Sequence, residues 1–354
     1  MSDLNFPDRV ALSEKLLRLK PAVAESVTAR FFLRHPDWVE RYGERGRKLG
    51  IEDANFHISF LAGAVEAGSV ESFEDYVRWT TRMLGARNIA SHFLVENLEQ
   101  IATDLALELT AGEAAAVAAF TRAGCVAAAT SAAAPLATGG GAELALARRL
   151  YLQAILKNHR RAAVAIVMEA LRDGHQPIDI YVEVFQESLY EVGRLWEANR
   201  ITVAEEHMAT AITQYAVAQL YPQLPLATRA RGTMVMTGVA GELHQVGANM
   251  VADMLDAQGF TVHFLGTNMP HSAILKTVEE HSPSVLGISA TMLFNIPHVV
   301  DLVAAVRATL GDRAPRIVLG GAAFRCLTTV PDDLRAIGFA PDVRAAVSLL
   351  CPDG

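Results

Sequence analysis

Residues 233–258 read TMVMTGVAGELHQVGANMVADMLDAQ and decide the fold of the last third of the chain. The first five residues form an apolar run that predicts a buried strand, and the apolar spacing after Val246 predicts an amphipathic helix. The loop between them carries His244, with Glu242 two positions before it and Gly247 three positions after it. The Glu242 carboxylate can hydrogen-bond one ring nitrogen of His244 and leave the other for a metal, while Gly247 admits a large flat ligand.

Two further motifs follow predicted strands. Ser-Ala-Thr at 289–291 closes the apolar run 285–289, and a Gly-Gly pair at 320–321 closes the run 317–319. Because the carboxyl ends of parallel strands form the rim where open α/β sheets bind ligands, we expect the three motifs to lie together. Small and hydroxyl-bearing residues at this rim would leave a slot and offer hydrogen bonds to a nucleotide tail.

Together the three motifs resemble the signature D/E-x-H-x-x-G, S-x-L/T and G-G of the cobalamin-binding domain in corrinoid methyltransferase subunits, mutases and light sensors. The resemblance covers roughly residues 231–354, with Glu242 where many members have Asp. It implies that His244 displaces the dimethylbenzimidazole of the cofactor as the lower axial ligand of cobalt, and that the displaced tail enters the slot. The residues that the resemblance assigns to cobalamin are Glu242, His244, Gln245, Val246, Gly247, Ser289, Thr291, Leu293, Gly320 and Gly321.

The composition limits the class of protein. The 354 residues, 51% hydrophobic and 20% charged, allow two or three globular domains. The net charge of -8 gives no support for nonspecific nucleic-acid binding. No apolar run approaches the length of a membrane span and no apolar signal region opens the chain, so we expect a soluble, cytoplasmic protein. The three cysteines, Cys125, Cys326 and Cys351, predict neither a disulfide framework nor a thiolate metal site.

A stretch of small residues at 127–141 predicts a flexible linker between domains. Residues 1–126 lack strand-like alternation and predict an all-helical domain of six or seven helices, with breaks at Pro21, Pro36, Gly50, Gly68 and Gly85. Residues 142–225 predict a four-helix bundle, and residues 231–354 a five-stranded, doubly wound, flavodoxin-like α/β domain. The bundle helices are expected at about 143–156, 160–172, 178–197 and 203–220.

Trp196, Glu206 and His207 form a second candidate site. Thr202 and Glu205 predict a capping box at the start of the fourth bundle helix, which places Glu206 and His207 in its first turns, close to Trp196. Core packing of Trp196 and attraction of Glu206 to the helix terminus would explain both residues without a ligand. Before a cobalamin domain, however, Trp-x9-Glu-His resembles the cap of CarH-type photoreceptors. That resemblance implies that Trp196 covers an upper ligand, commonly 5′-deoxyadenosyl, and that His207 can bind cobalt after light removes it.

The N-terminal domain is similar in architecture and length to the globin-like helical domain that photocobilins pair with a cobalamin domain. This similarity implies biliverdin as a second chromophore, which needs cations for its propionates, a polar group at its pyrrole nitrogens and aromatic walls. A haem-binding sensor stays open, as do an ordinary core histidine and a solvated arginine face. The candidate residues for this pocket are His57, Tyr76, Arg78, Trp79, Arg82 and His92.

These observations predict a non-enzymatic light sensor that binds adenosylcobalamin and biliverdin and signals by cap movement and by rearrangement of domains or oligomers. The alternative is a corrinoid protein that carries methyl groups between two methyltransferases, although a bulky Trp196 would hinder access to the upper face of its corrin. Because the sequence contains no recognisable output domain, we expect a homo-oligomer or a separate output protein. Direct binding to nucleic acid is not expected.

Overall fold

The computed structural model describes residues 4–130, 144–325 and 338–352. The chain divides into two compact units. The described part of the first unit is helical, and the second unit holds the bundle and the α/β domain. The structure therefore confirms the predicted order of a helical N-terminal region followed by further helices and a parallel sheet.

The first unit contains long helices that run through positions where the sequence predicted breaks. Its helices are α1 (Phe6–Arg34), α2 (Pro36–Ala67), α3 (Val70–Gly85), α4 (Ser91–Ala106) and α5 (Ala111–Thr130). Within α2, Gly43 has a non-helical backbone (φ 54°, ψ -149°), so two helices meet there at a kink, and the described residues form six helical segments, within the predicted six or seven. The predicted breaks at Pro36, Gly68 and Gly85 coincide with helix ends. Those at Pro21 and Gly50 were wrong, because α1 continues through Pro21 and α2 through Gly50. Buried apolar residues on both sides of Pro21, Leu16 and Val23, keep α1 intact, so packing outweighs the local cost of Pro. Gly50 lies against Thr28 of α1, where a Cβ would come within 3.0 Å of the threonine side chain, so the glycine permits a close approach of the two helices.

The first residues of the predicted linker also differ from the prediction. Helix α5 extends to Thr130, and Ala127 and Ala128 are buried in it. Residues 127–130 are therefore helical, because alanine is the strongest helix former and continues a helix that already has a packed face. The remainder of the predicted linker, residues 131–141, lies outside the described residues.

Four helical segments form the bundle, at the positions that the sequence predicted. The helices are α6 (Ala145–Leu156), α7 (Arg160–Arg172), α8 (Pro177–Asp179), α9 (Glu187–Glu197) and α10 (Val203–Leu220). A π-helical segment, Ile180–Gln186, joins α8 to α9 without a turn. The predicted capping box at the start of α10 is present, with Thr202 and Glu205 bonded reciprocally. The segments pack around a shared apolar core that includes Tyr151, Phe185 and Ile212.

The α/β domain contains a parallel sheet in the order β2-β1-β3-β4-β5, which is the flavodoxin-like order. Its strands are β1 (Gly232–Gly238), β2 (Phe260–Phe264), β3 (Val285–Ser289), β4 (Arg316–Gly320) and β5 (Gly338–Ala340). The chain leaves β1 towards one edge and returns to β3 on the other side, so the crevice between the carboxyl ends of β1 and β3 is the expected ligand site. The described helices of this domain are α11 (Val246–Ala257), α12 (His271–His281), α13 (Ile296–Leu310), α14 (Ala322–Arg325) and α15 (Val343–Leu350).

One segment among the described residues, Leu293–Arg313, is long and apolar enough to span a membrane by those two criteria alone. Its apolar window is 56% buried inside the protein. The segment contains α13, whose residues Leu302, Val303 and Val306 are completely buried. These features are those of a core helix in an α/β domain, and such a helix is weak evidence for a membrane span.

Candidate functional site

Strand register brings the three predicted motifs to the same rim of the sheet. Gly238, at the end of β1, pairs with Ser289 at the end of β3, and Ser289 pairs with Gly320 at the end of β4. The loop that carries His244 follows β1 directly and ends at α11. The three motifs therefore meet at the point where the strand order reverses, as the sequence predicted.

The Glu242 carboxylate is the centre of a hydrogen-bond network beneath His244. Its side chain is 0% exposed. One carboxylate oxygen accepts bonds from the backbone N–H and the Nδ1 atom of His244, both at 2.7 Å. The other oxygen accepts the Thr291 backbone N–H and, at 3.0 Å, the Asn295 Nδ2. Four donors thus converge on one buried carboxylate, which is the satisfaction that a buried charge requires.

These contacts set the protonation of both residues. Burial raises the pKa of Glu242, but the hydrogen bonds from His244 and from the Thr291 backbone outweigh it and hold the pKa below its ordinary value. The hydrogen bond to Glu242 raises the pKa of His244, although desolvation opposes the shift. In the neutral ring, Nδ1 carries the proton that Glu242 accepts, so the Nε2 lone pair is available to a metal. The His244 side chain is 57% exposed and therefore accessible from outside.

Asn295 is a site residue that the sequence did not single out. It is fully buried in the short helical turn Leu293–Asn295 and lies 53 positions from Glu242 in the chain. A signal was present, because a polar residue immediately before the apolar helix α13 has to find a partner when it is buried. The predicted neighbour Leu293 is also buried in this turn.

Asn295→Ala is expected to weaken cobalamin binding by roughly 10-fold, because Glu242 would lose one of its orienting donors. Asn295→Asp is expected to weaken it further, because two carboxylates would then meet in a buried site. Titration with hydroxocobalamin, followed by absorbance, measures both variants. Asn295→Ser retains a donor and is the matched control. Wild-type affinity in both Asn295→Ala and Asn295→Asp would show that Asn295 has no role in orienting Glu242.

Two glycines of the predicted site lack a side chain for different structural reasons. Gly247 has open space where a Cβ would lie. Gly321 has a φ of 105°, and a Cβ there would collide with the backbone of Ala290. Gly247 therefore leaves open space at the start of α11, and Leu243 in the preceding loop is 74% exposed. Gly321 instead lets the loop after β4 approach the end of β3 closely.

We expect substitution of Gly321 to change mainly the stability of the protein and substitution of Gly247 to change mainly its affinity for cobalamin. Gly321→Ala should lower the free energy of unfolding by about 1–3 kcal/mol, because it adds both backbone strain and a collision. Gly247→Ala should leave that free energy nearly unchanged and reduce cobalamin affinity, because its new methyl group enters the space expected for the corrin. Urea denaturation and hydroxocobalamin titration of both variants measure the two effects. An unchanged affinity of a folded Gly247→Ala protein would contradict this placement of the corrin.

The bundle brings Glu206 towards the same site. The hydrogen bond to Glu242 is the main cause of the raised pKa of His244, and the negative charge of Glu206 adds to it. Glu206 also contacts His207 at 2.5 Å and accepts a hydrogen bond from Thr210 at 3.0 Å. The His207 side chain is 74% exposed. Trp196, at the end of α9, is half-buried. The structure thus places Glu206 within electrostatic reach of His244 across the two parts of the second unit.

In the N-terminal unit, two of the candidate residues form a buried pair. His57 Nδ1 lies 2.6 Å from the Tyr76 hydroxyl, and Phe60 stacks on Tyr76 with ring centroids 3.7 Å apart. Burial lowers the pKa of His57 to about 4 and raises that of Tyr76, so both are neutral near pH 7. Trp79 lies beside Tyr76, with ring centroids 6.2 Å apart. A satisfied core histidine, which the sequence left open, is consistent with this geometry.

The other three candidates of this unit lie in more open positions. Arg78 is paired with Glu74 and Asp75 at 2.6 and 2.7 Å, as expected for a solvated helix face. Arg82 is half-buried in the same helix, and His92 is exposed at the start of α4. These three residues stay candidates for a chromophore pocket, although Arg78 would have to exchange its ion pairs for a propionate.

The described residues contain no group of three or more His, Cys, Asp or Glu side chains that could hold a metal ion. Cys125 and Cys351 are free thiols, and Cys326 lies outside the described residues. A corrin brings four equatorial nitrogen ligands of its own, so cobalt in a corrin needs only one protein ligand from below. The exposed imidazole of His244, the buried carboxylate behind it and the Cβ-free space at Gly247 fit that requirement.

Comparison with known proteins identifies the class of domain that the second unit contains. Two family models match the chain, each described as a B12 binding domain, over residues 232–344 and residues 147–221. The first match covers the sheet from β1 to the start of α15, and the second covers most of the bundle. The chain therefore contains cobalamin-binding domains, and the prediction of cobalamin as a cofactor is confirmed. Helices α1–α5 lie outside both matched segments.

The chain is similar to corrinoid proteins of several Methanosarcina species. It is 25% identical over 165 residues to dimethylamine corrinoid protein 1 of Methanosarcina acetivorans. The matched segment covers 46% of this chain and 78% of that protein. It is 24% identical over 143 residues to trimethylamine corrinoid protein 1 of Methanosarcina mazei, covering 40% and 66% respectively. A solved structure, the monomethylamine corrinoid protein of Methanosarcina barkeri, matches at 23% identity and a TM-score of 0.49, over 56% of this chain and 94% of that one.

Proposed function

We propose that the second unit binds cobalamin with His244 as the lower axial ligand of cobalt. The observation that carries this proposal is the His244–Glu242 pair, in which a buried, ionised carboxylate fixes Nδ1 and leaves Nε2 for the metal. Ser289, Thr291, Gly320 and the neighbouring Gly321 would line the slot for the displaced nucleotide tail. Bound cobalamin supplies a weak cobalt–carbon bond, which either a nucleophile or a visible photon can break.

The relatives support the role of a methyl carrier. Their names describe corrinoid proteins for dimethylamine and trimethylamine, and their similarity extends over almost half of this chain. In this role the chain would have no catalytic centre of its own and would present its corrin to two methyltransferases in turn. Of the two roles considered, this one has the stronger support from comparison.

A light sensor is the second candidate, and two observations favour it. The negative charge of Glu206 contributes to the raised pKa of His244, behind the hydrogen bond to Glu242, which supports a position of the start of α10 near the proposed site. In addition, helices α1–α5 lie outside the segments that the B12 models match, so the chain has a part that those models do not explain. In this role Trp196 would cover the upper ligand, commonly 5′-deoxyadenosyl, and His207 would bind cobalt after its loss. Signalling would pass through self-association or a separate output protein.

One experiment distinguishes the two roles. The protein is loaded with adenosylcobalamin in the dark, illuminated with green light, and analysed by absorbance and size-exclusion chromatography. A sensor should change its assembly along with its spectrum, and Trp196→Ala should abolish the change in assembly. Tyr190→Ala, which removes an exposed aromatic residue from the same helix, is the matched control. A methyl carrier should undergo photolysis without any change in assembly.

The sensor role includes biliverdin in the N-terminal unit as a second chromophore. The support is the buried His57–Tyr76 pair within an aromatic cluster, which offers polar atoms and ring walls. Biliverdin added to the purified protein should then give a broad red absorption that Tyr76→Phe shifts. A Soret band after addition of haem, with no response to biliverdin, would favour the haem-binding alternative instead.

A further inference from the structure

Helix α11 connects the two parts of the second unit, because both of its faces are apolar and buried. Ala248, Ala252 and Leu255 belong to the core of the sheet. Met250 and Met254 belong to the core of the bundle. The bundle and the α/β domain therefore share a continuous apolar interior. Departure of the whole bundle as a rigid body would expose that interior to water, which the hydrophobic effect opposes.

Polar contacts hold the same end of the bundle. Arg344 in α15 bonds to Asp179 at 2.6 Å and to Glu183 at 3.0 Å. The Tyr181 hydroxyl donates to Asp253 of α11 at 3.2 Å. The three bundle residues of these contacts lie in α8 and the π-helical segment. The bundle residues proposed to face the corrin, Trp196 and Glu206, come after that segment in the chain.

The π-helical segment Ile180–Gln186 separates a packed region from a loosely packed one. Four of its seven residues are buried, among them Tyr181 and Phe185 at 0% exposure. By contrast, only Ser188 and Val192 are buried in the eleven residues of α9. In α10 the first buried residue is Ala209. Residues 187–208, which we name the hairpin, thus have few buried side chains, and local opening costs least in such regions.

A π-helical turn is a natural place for a hinge. It accommodates one residue more than an α-helical turn and occurs mostly at functional sites. A shift of this extra residue into α-helical register rotates the following helix by about 100° relative to the preceding one. Such a shift in the part of the segment that follows Glu183 would turn α9, and with it Trp196. The contacts of Tyr181 and Glu183, which lie in the first part of the segment, would stay in place.

We propose that Ile180–Gln186 is a hinge and that the hairpin alone moves when the upper face of the corrin changes, while the base of the bundle stays seated on α11 and α15. The functional part of this inference rests on the proposed cobalamin site. The mechanical part, a loose hairpin on a fixed base, is a property of the chain itself.

Hydrogen–deuterium exchange of the full chain, measured by mass spectrometry, tests the mechanical part first. Without cobalamin, amides of the hairpin should exchange at least about tenfold faster than those of Ile180–Gln186 and α11. Equal exchange rates in the three segments would overturn the hinge. This comparison does not depend on cobalamin binding, so it separates failure of the hinge from failure of the proposed cobalamin site.

Addition of hydroxocobalamin tests the functional part, with uptake followed by absorbance. Exchange in the hairpin should slow several-fold, while exchange in the π-helical segment stays unchanged. If exchange slowed in both segments, the bundle would move as one body and the proposal would be overturned. Unchanged exchange in the hairpin of cobalamin-loaded protein would overturn it as well. Absence of uptake would instead refute the proposed cobalamin site, and with it the functional part.

Variants of the base provide a second test. Arg344→Ala removes the ion pairs to Asp179 and Glu183, and should speed exchange in Ile180–Gln186 by about threefold or more, since the lost contacts belong to the fixed side of the hinge. Arg172→Ala is the matched control, because within the described part of the chain the Arg172 side chain donates only to the Met168 carbonyl of its own helix. If both variants gave the same exchange pattern, Arg344 would not anchor the base and the proposal would be wrong.

Discussion

Replacing His244 with alanine is expected to lower the affinity for hydroxocobalamin by more than about 100-fold, because the cobalt would lose its only protein ligand from below, and changes in the supporting residues alone cost 10–100-fold. The remaining fold should be unaffected, since the His244 side chain is more than half exposed. Equilibrium dialysis measures the affinity, and circular dichroism measures the fold.

Isotope labelling identifies the ligand atom directly. In protein labelled with 15N-histidine and loaded with cob(II)alamin, the electron paramagnetic resonance lines should split into doublets, because 15N has nuclear spin one-half. Dimethylbenzimidazole nitrogen, at natural abundance, would give triplets. His207→Ala is the control and should retain the doublets, because His207 lies on the bundle and not below the corrin. Triplets in the labelled wild type would contradict ligation by any histidine.

Removal of the Glu242 carboxylate is expected to have the second largest effect. Glu242→Ala leaves the Thr291 backbone N–H and the Asn295 amide without their acceptor in a buried position. An unsatisfied buried donor costs about 1–3 kcal/mol, so the free energy of unfolding should fall by about 2–4 kcal/mol. Urea denaturation followed by circular dichroism measures this loss.

The same position should also control cobalamin affinity. In Glu242→Gln the amide NH₂ group must face one of the donors that now converge on the carboxylate, and the His244 ring loses its charged partner. We expect affinity to fall by roughly 10–100-fold. Glu242→Asp keeps the charge and is the control, with an intermediate affinity because the shorter side chain must serve the same four donors. Wild-type affinity in Glu242→Gln would show that this carboxylate does not orient the ligand.

The roles of methyl carrier and light sensor differ in what they require of the upper side of the proposed site. The lower side, proposed to come from the α/β domain, would serve either role equally well, because both need cobalt held from below. In the proposed site, Glu206, His207 and Trp196 of the bundle would form the upper side, and access to it would differ between the two roles. A carrier has to open this side to two enzymes, whereas a sensor has to close it until light arrives. The hinge proposed at Ile180–Gln186 would permit either motion.

Local patterns in the sequence were sufficient to predict much of the secondary structure of this protein and one loop of the candidate site. The bundle helices and the capping box at Thr202 could be predicted, because periodicity and side-chain capping act over a few residues. The same holds for the loop that carries His244 after β1, since the Glu242–His244 bond spans two positions. The predicted break at Pro21 was wrong because burial of the flanking Leu16 and Val23 overrides local propensity. The predicted break at Gly50 was wrong because this glycine serves a close contact with Thr28 of α1 inside a continuing helix.

By itself, the sequence determined the helical and α/β regions, the order in which they occur and the three motifs at the sheet rim. Only the tertiary structure decided that Asn295, 53 positions from Glu242, completes the network beneath His244, and that α11 joins two cores through Met250 and Met254. The reason is physical: strand and helix periodicity is written in neighbouring residues, whereas the partner of a buried polar group or apolar face depends on how distant segments pack.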